Sequence, residues 1–158
     1  MITKTINDNI FKTKEKHIAF AINKEGLNDA GFAGQIAYNY WNKINDCKER
    51  EIGTVLSKKV GNITYHALVC FSLEDGWPEN QKEVIEECFN NIDSKGKPIA
   101  TVAIGTGYVG ILTGADFKKI VCGMNDSVQD IVLYAPYTLE EIKDIYEEEK
   151  SYKRKRKR

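Results

Sequence analysis

The sequence predicts an α/β protein: a three-layer α/β/α sandwich with a mixed central sheet of about six strands. Three observations lead there. Apolar runs rich in β-branched residues alternate with stripes of helical spacing, in the order β-β-α-β-β-α-β-α-β-α. One pair of strands flanks Gly61-Asn62, a two-residue hairpin signal, so the sheet is not purely parallel. Two strands end in glycine-rich loops that each lead into a helix: Asn23 to Gly34, and Ile104 to Gly114.

In chain order, Ile2–Ile6 reads as a first strand, stopped by Asn7-Asp8-Asn9, whose side chains can turn the chain and offer acceptors. Lys12–Lys16 is polar and exposed. His17–Ile22 is a compact apolar second strand, with His17 a structural residue at its edge. After the first glycine loop, Phe32, Ala33, Ile36, Ala37, Tyr40, Trp41 and Ile44 fall on one helical face. Asn28 or Asp29 is placed to cap that helix, whose free amides would favour an anion. Thr54–Val60 and Ile63–Phe71 form the hairpin. The second of these is apolar almost throughout and belongs in the middle of the sheet, with His66 packed within it.

Asp75-Gly-Trp-Pro78 is a turn, and Pro78 is placed to open the next helix, whose buried stripe is Val84, Ile85, Cys88, Phe89 and Ile92. Ile99–Ile104 is a buried strand. Gly105, Gly107 and Gly110 spell G-x-G-x-x-G after it, but Gly114 delays the helix, which fits a dinucleotide turn poorly. Either the loop cradles phosphate or its glycines serve tight packing. Phe117, Ile120, Val121 and Met124 line a helix, and Gln129–Ala135 is the last strand. Thr138-Leu-Glu-Glu141 matches a capping box for a final helix with Leu139, Ile142, Ile145 and Tyr146 inward.

Composition narrows the class. The chain has 158 residues, 42% hydrophobic and 29% charged, which suits a single domain over residues 1–150. No apolar run is long enough for a membrane span, and the start lacks a signal-peptide core, so a soluble cytoplasmic protein without membrane contact is expected. Cys47, Cys70, Cys88 and Cys122 form no C-x-x-C pair, and with two histidines neither a disulfide framework nor a metal site is suggested. No cofactor is expected. Lys153–Arg158 supplies six of the 23 basic residues against 23 acidic ones, leaving the rest of the chain at net −6. Residues 151–158 read as a basic, disordered tail, either a solvated end or a nonspecific nucleic-acid contact.

The element order, Ala30-Gly-Phe-Ala-Gly34 and above all Ile104-Gly-Thr-Gly107 resemble the macro domain, an ADP-ribose-binding module, over about residues 3–134. The resemblance implies that Gly31, Phe32 and Ala33 on one side, and Ile104, Gly105, Thr106, Gly107, Tyr108, Val109 and Gly110 on the other, hold the diphosphate and distal ribose. Asn9, or its neighbour Asp8, takes the place of the family's adenine-binding acid, with Ile10 beside it. Tyr134 is similar to the aromatic that lies against adenine, or else is ordinary strand packing.

The asparagine-rich motif of hydrolytic members is not intact. The loop length resembles the short-loop subgroup, which uses a lysine after the central strand and an aspartate beyond the Gly-x-Gly. Phe71 or Ser72, and Val109, stand at those places, and none can do that chemistry. Asn23, Asn28 and Asp29 remain as catalytic candidates that could orient a water, or else cap and turn the chain. The expected ligand is ADP-ribose, free or attached to a protein or nucleic acid, bound with weak or no hydrolysis. The alternatives are a de-ADP-ribosylating hydrolase or ADP-ribose-phosphate phosphatase, and a nucleic-acid-associated protein acting through its tail.

Overall fold

The computed structural model describes residues 1–104, 114–145 and 147. Strands β1 (Ile2–Ile6), β2 (His17–Asn23), β3 (Val55–Val60), β4 (Ile63–Phe71), β5 (Ile99–Val102) and β6 (Ile131–Tyr134) form one sheet in the order β1-β6-β5-β2-β4-β3. Every neighbouring pair is parallel except β3 with β4, which the Gly61-Asn62 turn joins antiparallel in the register Val60↔Ile63. Gly61 has φ +62°, the left-handed conformation such a tight turn requires.

Both faces of the sheet are covered, and the alternation of the strands shows it. On β2, Ile18, Phe20 and Ile22 enter one core, while Ala19 and Ala21 face the other. On β4, Tyr65, Ala67 and Val69 join the first, and Leu68 and Cys70 the second. Helix α1 (Gly31–Asn39) covers the first face with the 3-10 turns Ile10–Lys12 and Asn42–Asn45. Helices α2 (Gln81–Asn90), α3 (Gly114–Asn125) and residues 139–145 cover the second, through Val84, Ile85, Cys88, Phe89, Phe117, Ile120, Val121, Met124 and Ile142. The architecture is therefore the expected three-layer sandwich. Thr138 caps the last helix as its sequence indicates, its hydroxyl accepting the Glu141 amide at 3.1 Å.

Some expectations need correction. The stripe from Phe32 to Ile44 is not one helix. The chain leaves helical geometry at Tyr40 (φ −134°, ψ −26°) and Trp41 (φ −150°, ψ 72°), and Ile44 reaches the core from a separate 3-10 turn. Neither Asn28 nor Asp29 caps α1. Its N-cap is Ala30, with no side-chain cap bond. Pro78 does not open α2, which starts at Gln81 behind Asn80. Strand β4 is interior but lies next to the edge, while β5 and β2 form the centre. The tail and the loop at residues 105–113 lie outside the described residues.

Candidate functional site

Strands β2 and β5 lie side by side, and their connections leave in opposite directions. Strand β2 leads through α1 toward β4 on one side, and β5 through α3 to β6 on the other. Such a switch point opens a crevice beyond the carboxyl ends of the strands. There the structure has a cleft of about 830 Å³. Phe20, Ala21, Val102 and Ala103 are among the residues at its base, and the β2–α1 loop lines one side. Two aromatic pairs line it as well: Phe11 with Phe32 (ring centroids 5.3 Å apart) and Phe71 with Trp77 (5.0 Å, nearly parallel).

The β2–α1 loop is held by asparagine side chains. Asn23 Nδ2 donates to the Leu27 carbonyl at 2.7 Å, and its Oδ1 accepts the Leu27 amide at 3.1 Å. Asn28 Oδ1 accepts the Asn23 amide at 3.1 Å. Asn45, from the 3-10 turn, accepts the Asn28 amide at 2.6 Å and donates to the Asn28 carbonyl at 3.0 Å. These contacts satisfy buried backbone groups that a loop would otherwise leave orphaned. One polar atom is left over. Among the described residues Asn28 Nδ2 has no hydrogen-bond partner, although Asn28 is only 5% exposed and lines the cleft. A buried donor without an acceptor is costly, which favours a ligand oxygen there.

Beside it, α1 presents its uncapped N-terminus to the cleft. The first-turn amides of a helix have no acceptor within it and carry partial positive charge. Gly31 opens the helix at φ +64°, a conformation that side chains other than glycine adopt with strain. Gly34 is required for a different reason: a Cβ there would lie 2.7 Å from the Asp29 carbonyl carbon. Across the loop, Glu25 accepts the Ser72 hydroxyl at 2.6 Å and the Leu73 amide at 2.9 Å, and those bonds, the hydroxyl's first, hold its carboxyl below the usual range. This clasp ties the β2–α1 loop to the β4–α2 loop at the rim.

Asn9, Ile10, Asn23, Asn28, Asp29, Gly31, Phe32, Ala33 and Ile104, all singled out from sequence, come together along the cleft. Asp8 does not line it. Asp8 is exposed, accepts the Asn9 amide and lies 4.0 Å from Lys12 Nζ. Asn9 is the one that faces the cleft, its Oδ1 already accepting the Phe11 amide at 3.0 Å. Tyr134 does not line the cleft either and packs in the core with Ile10 and Val132. Gly105, Thr106, Gly107, Tyr108, Val109 and Gly110 lie outside the described residues.

Sequence reasoning missed Asn45, Glu25, Phe11, Leu27, Leu73 and the Phe71–Trp77 pair. Trp77 had a local signal in its Asp-Gly-Trp-Pro turn; Asn45 and Glu25 act across loops and had none. Asp29 is the one ionisable side chain among the described residues that line the cleft, so no described cation is at hand for an anionic ligand. Among the described residues no group of three His, Cys, Asp or Glu side chains is placed to hold a metal, and no helix is long and apolar enough to cross a membrane.

No protein-family model matches the sequence and no curated protein does. Solved structures do. The chain is similar to the macrodomain of Thermus aquaticus DarG (TM-score 0.66, 13% identity, 86% of this chain and 99% of that one). It is also similar to Thermosipho africanus DarTG in complex with ADP-ribose (TM-score 0.65, 14% identity, 86% of this chain) and to alphavirus P23pro-zbd (TM-score 0.60, 14% identity, 95% of this chain). It spans 41% of that DarTG chain and 24% of that alphavirus chain. At these identities the likeness is one of fold, and the fold is that of a macrodomain.

Proposed function

We propose that the cleft binds ADP-ribose, free or attached to a macromolecule, with weak or no hydrolysis. The observation that carries this reading is the unpartnered amide of buried Asn28 beside the uncapped, glycine-led N-terminus of α1. A diphosphate suits the helix amides, which supply the positive potential that no described side chain in the cleft supplies. A ribose oxygen suits Asn28 Nδ2. The Phe11–Phe32 end, with Asn9 beside it, suits a purine, which leaves the Phe71–Trp77 end to the distal ribose and whatever is attached to it. The macrodomain fold, and a solved DarTG structure in complex with ADP-ribose, support the same ligand.

The weak-hydrolysis part rests on the same side chains. Asn23 spends both its polar atoms on Leu27, and the Ser72 hydroxyl is given to Glu25, so neither is free to act on a substrate. Neither Phe71 nor Ser72 carries an amine for a covalent adduct.

Hydrolysis is the second reading, favoured by one feature: exposed Asp29 in the cleft, which could activate a water near the distal ribose. The test pairs binding with turnover. Gly107→Glu is expected to abolish ADP-ribose binding in a folded protein by steric and charge conflict with the phosphates. Wild type is expected to release little ADP-ribose from a protein modified on acidic side chains. Fast release that disappears in Asp29→Ala would replace the binding reading with the hydrolase. Unchanged ADP-ribose affinity in folded Gly107→Glu would remove the cleft assignment itself.

A further inference from the structure

Two carboxamide side chains line the cleft beside the Phe11–Phe32 pair: Asn9, two residues before Phe11, and Gln35, one turn after Phe32 on α1. They differ in freedom. Gln35 is exposed, and among the described residues its side chain has no hydrogen-bond partner, so its amide turns either end to a ligand and selects nothing. Asn9 is fixed. Its side chain caps the turn Ile10–Lys12, where the Phe11 amide lies 3.0 Å away and only an oxygen accepts from it. A flipped carboxamide would set two donors against each other at that distance. Oδ1 is therefore committed to the chain. Nδ2 is left as the group offered to a ligand, a donor with no partner among the described residues. The neighbouring acid does not supply an acceptor in its place. Asp8 accepts the Asn9 amide at 2.7 Å, lies 4.0 Å from Lys12 Nζ and stays outside the cleft.

Purines differ in the group on their six-position carbon. Adenine carries an amino group there, a donor, while guanine and hypoxanthine carry a carbonyl oxygen, an acceptor. A protein donor meets the first as a mismatch and the second as a hydrogen bond. Adenine gains from Asn9 only by sharing Oδ1 with the Phe11 amide or by breaking that cap. A 6-oxopurine uses Nδ2 and leaves the cap intact.

We propose that Asn9 sets the base selectivity of the cleft and turns it toward 6-oxopurines, so that inosine diphosphate-ribose binds more tightly than ADP-ribose. This rests on the reading of the Phe11–Phe32 end as the purine site of a diphosphate-ribose ligand. ADP-ribose remains a ligand, because its diphosphate and distal ribose meet the same groups. Hypoxanthine is a cleaner probe than guanine, which adds a second amino group.

Calorimetric titration of the full chain with ADP-ribose and with inosine diphosphate-ribose gives a ratio of affinities in which the diphosphate and ribose contacts cancel. Wild type is expected to bind the inosine compound about threefold tighter or more. In Asn9→Asp one carboxylate oxygen keeps the Phe11 amide and the other puts an acceptor where Nδ2 was. The preference is then expected to reverse, to about tenfold in favour of ADP-ribose. The added negative charge weakens both ligands alike and drops out of the ratio. Aspartate also caps the turn as well as asparagine does, so a merely structural Asn9 would leave the ratio unmoved. Wild type that binds ADP-ribose as tightly as the inosine compound, or more tightly, would overturn the proposal. The same ratio in wild type and Asn9→Asp would overturn it too. Wild type that binds neither compound would remove the cleft assignment itself, and the base selectivity with it.

Discussion

Removing the Asn28 side chain separates a ligand-directed amide from a packing defect. In Asn28→Ala two changes oppose each other. The buried Asn23 amide loses its acceptor at 3.1 Å, a cost of about 1–3 kcal/mol. The unpartnered Nδ2 disappears at the same time, which returns a penalty of similar size. The net effect on stability is expected within about 1 kcal/mol, a shift of about 2–4 °C in Tm. Binding has no such compensation. If Nδ2 donates to the ligand, its loss costs about 1.4 kcal/mol or more, at least tenfold in Kd for ADP-ribose. Asn28→Asp sharpens the test, because it keeps the acceptor for Asn23, removes the donor and sets negative charge near a diphosphate. Its loss of affinity is expected to exceed that of Asn28→Ala. Calorimetric titration and differential scanning calorimetry on the three proteins read both quantities. Affinities within twofold of wild type, together with a raised Tm in Asn28→Ala, would refute the reasoning and mark the amide as a defect.

Three further outcomes follow from the geometry. Gly34→Ala puts a Cβ against the Asp29 carbonyl and must push the β2–α1 loop outward, with an expected loss of about 1–3 kcal/mol in urea unfolding and weaker ADP-ribose binding; a wild-type urea midpoint would contradict the close approach. His66 bonds Ser57 Oγ at 2.7 Å and His17 Nδ1 at 2.9 Å, and burial, with a smaller push from His17, lowers its pKa from 6.5 to about 4. Its folded pKa lies below the unfolded one, so the unfolded chain binds more protons between those values. Stability is then complete above about pH 6.5 and falls as the pH drops toward 4. Urea midpoints against pH should show this decline in wild type and a flatter profile in His66→Gln; parallel profiles would contradict it. Val69→Asp buries an unpaired carboxylate at a fully enclosed site on β4 and is expected to unfold the domain, which circular dichroism would show as the loss of a cooperative transition.

The layered fold was legible because both faces of the sheet are buried and the strands alternate with nearly no exceptions. The hairpin was legible because Gly61-Asn62 specifies its own turn. Periodicity failed at Tyr40. A helix and a following 3-10 turn can present Ile36 and Ile44 to the same core, and the apolar spacing does not record the break between them. The cleft was legible only in part. Glycine loops at two strand ends marked its place, and Asn9, Asn28 and Gly31 emerged by type. What Asn28 does depends on Asn45, 17 residues on, and on Asn23, whose amide occupies its oxygen and so leaves its nitrogen alone. Such assignments come from loop packing, which local sequence does not encode. Glu25 tying down residues 72–74 is of the same kind.

The central claim is that the cleft recognises ADP-ribose as a whole, through helix amides, the Asn28 amide and the aromatic pairs together. Calorimetric titration of the wild-type protein with ADP-ribose, and with AMP and NAD for comparison, tests it most directly. The expected result is one-to-one micromolar binding of ADP-ribose and much weaker binding of AMP, which lacks the second phosphate and the distal ribose. Equal affinity for AMP, or no heat and no change in Tm with any of the three, would contradict it.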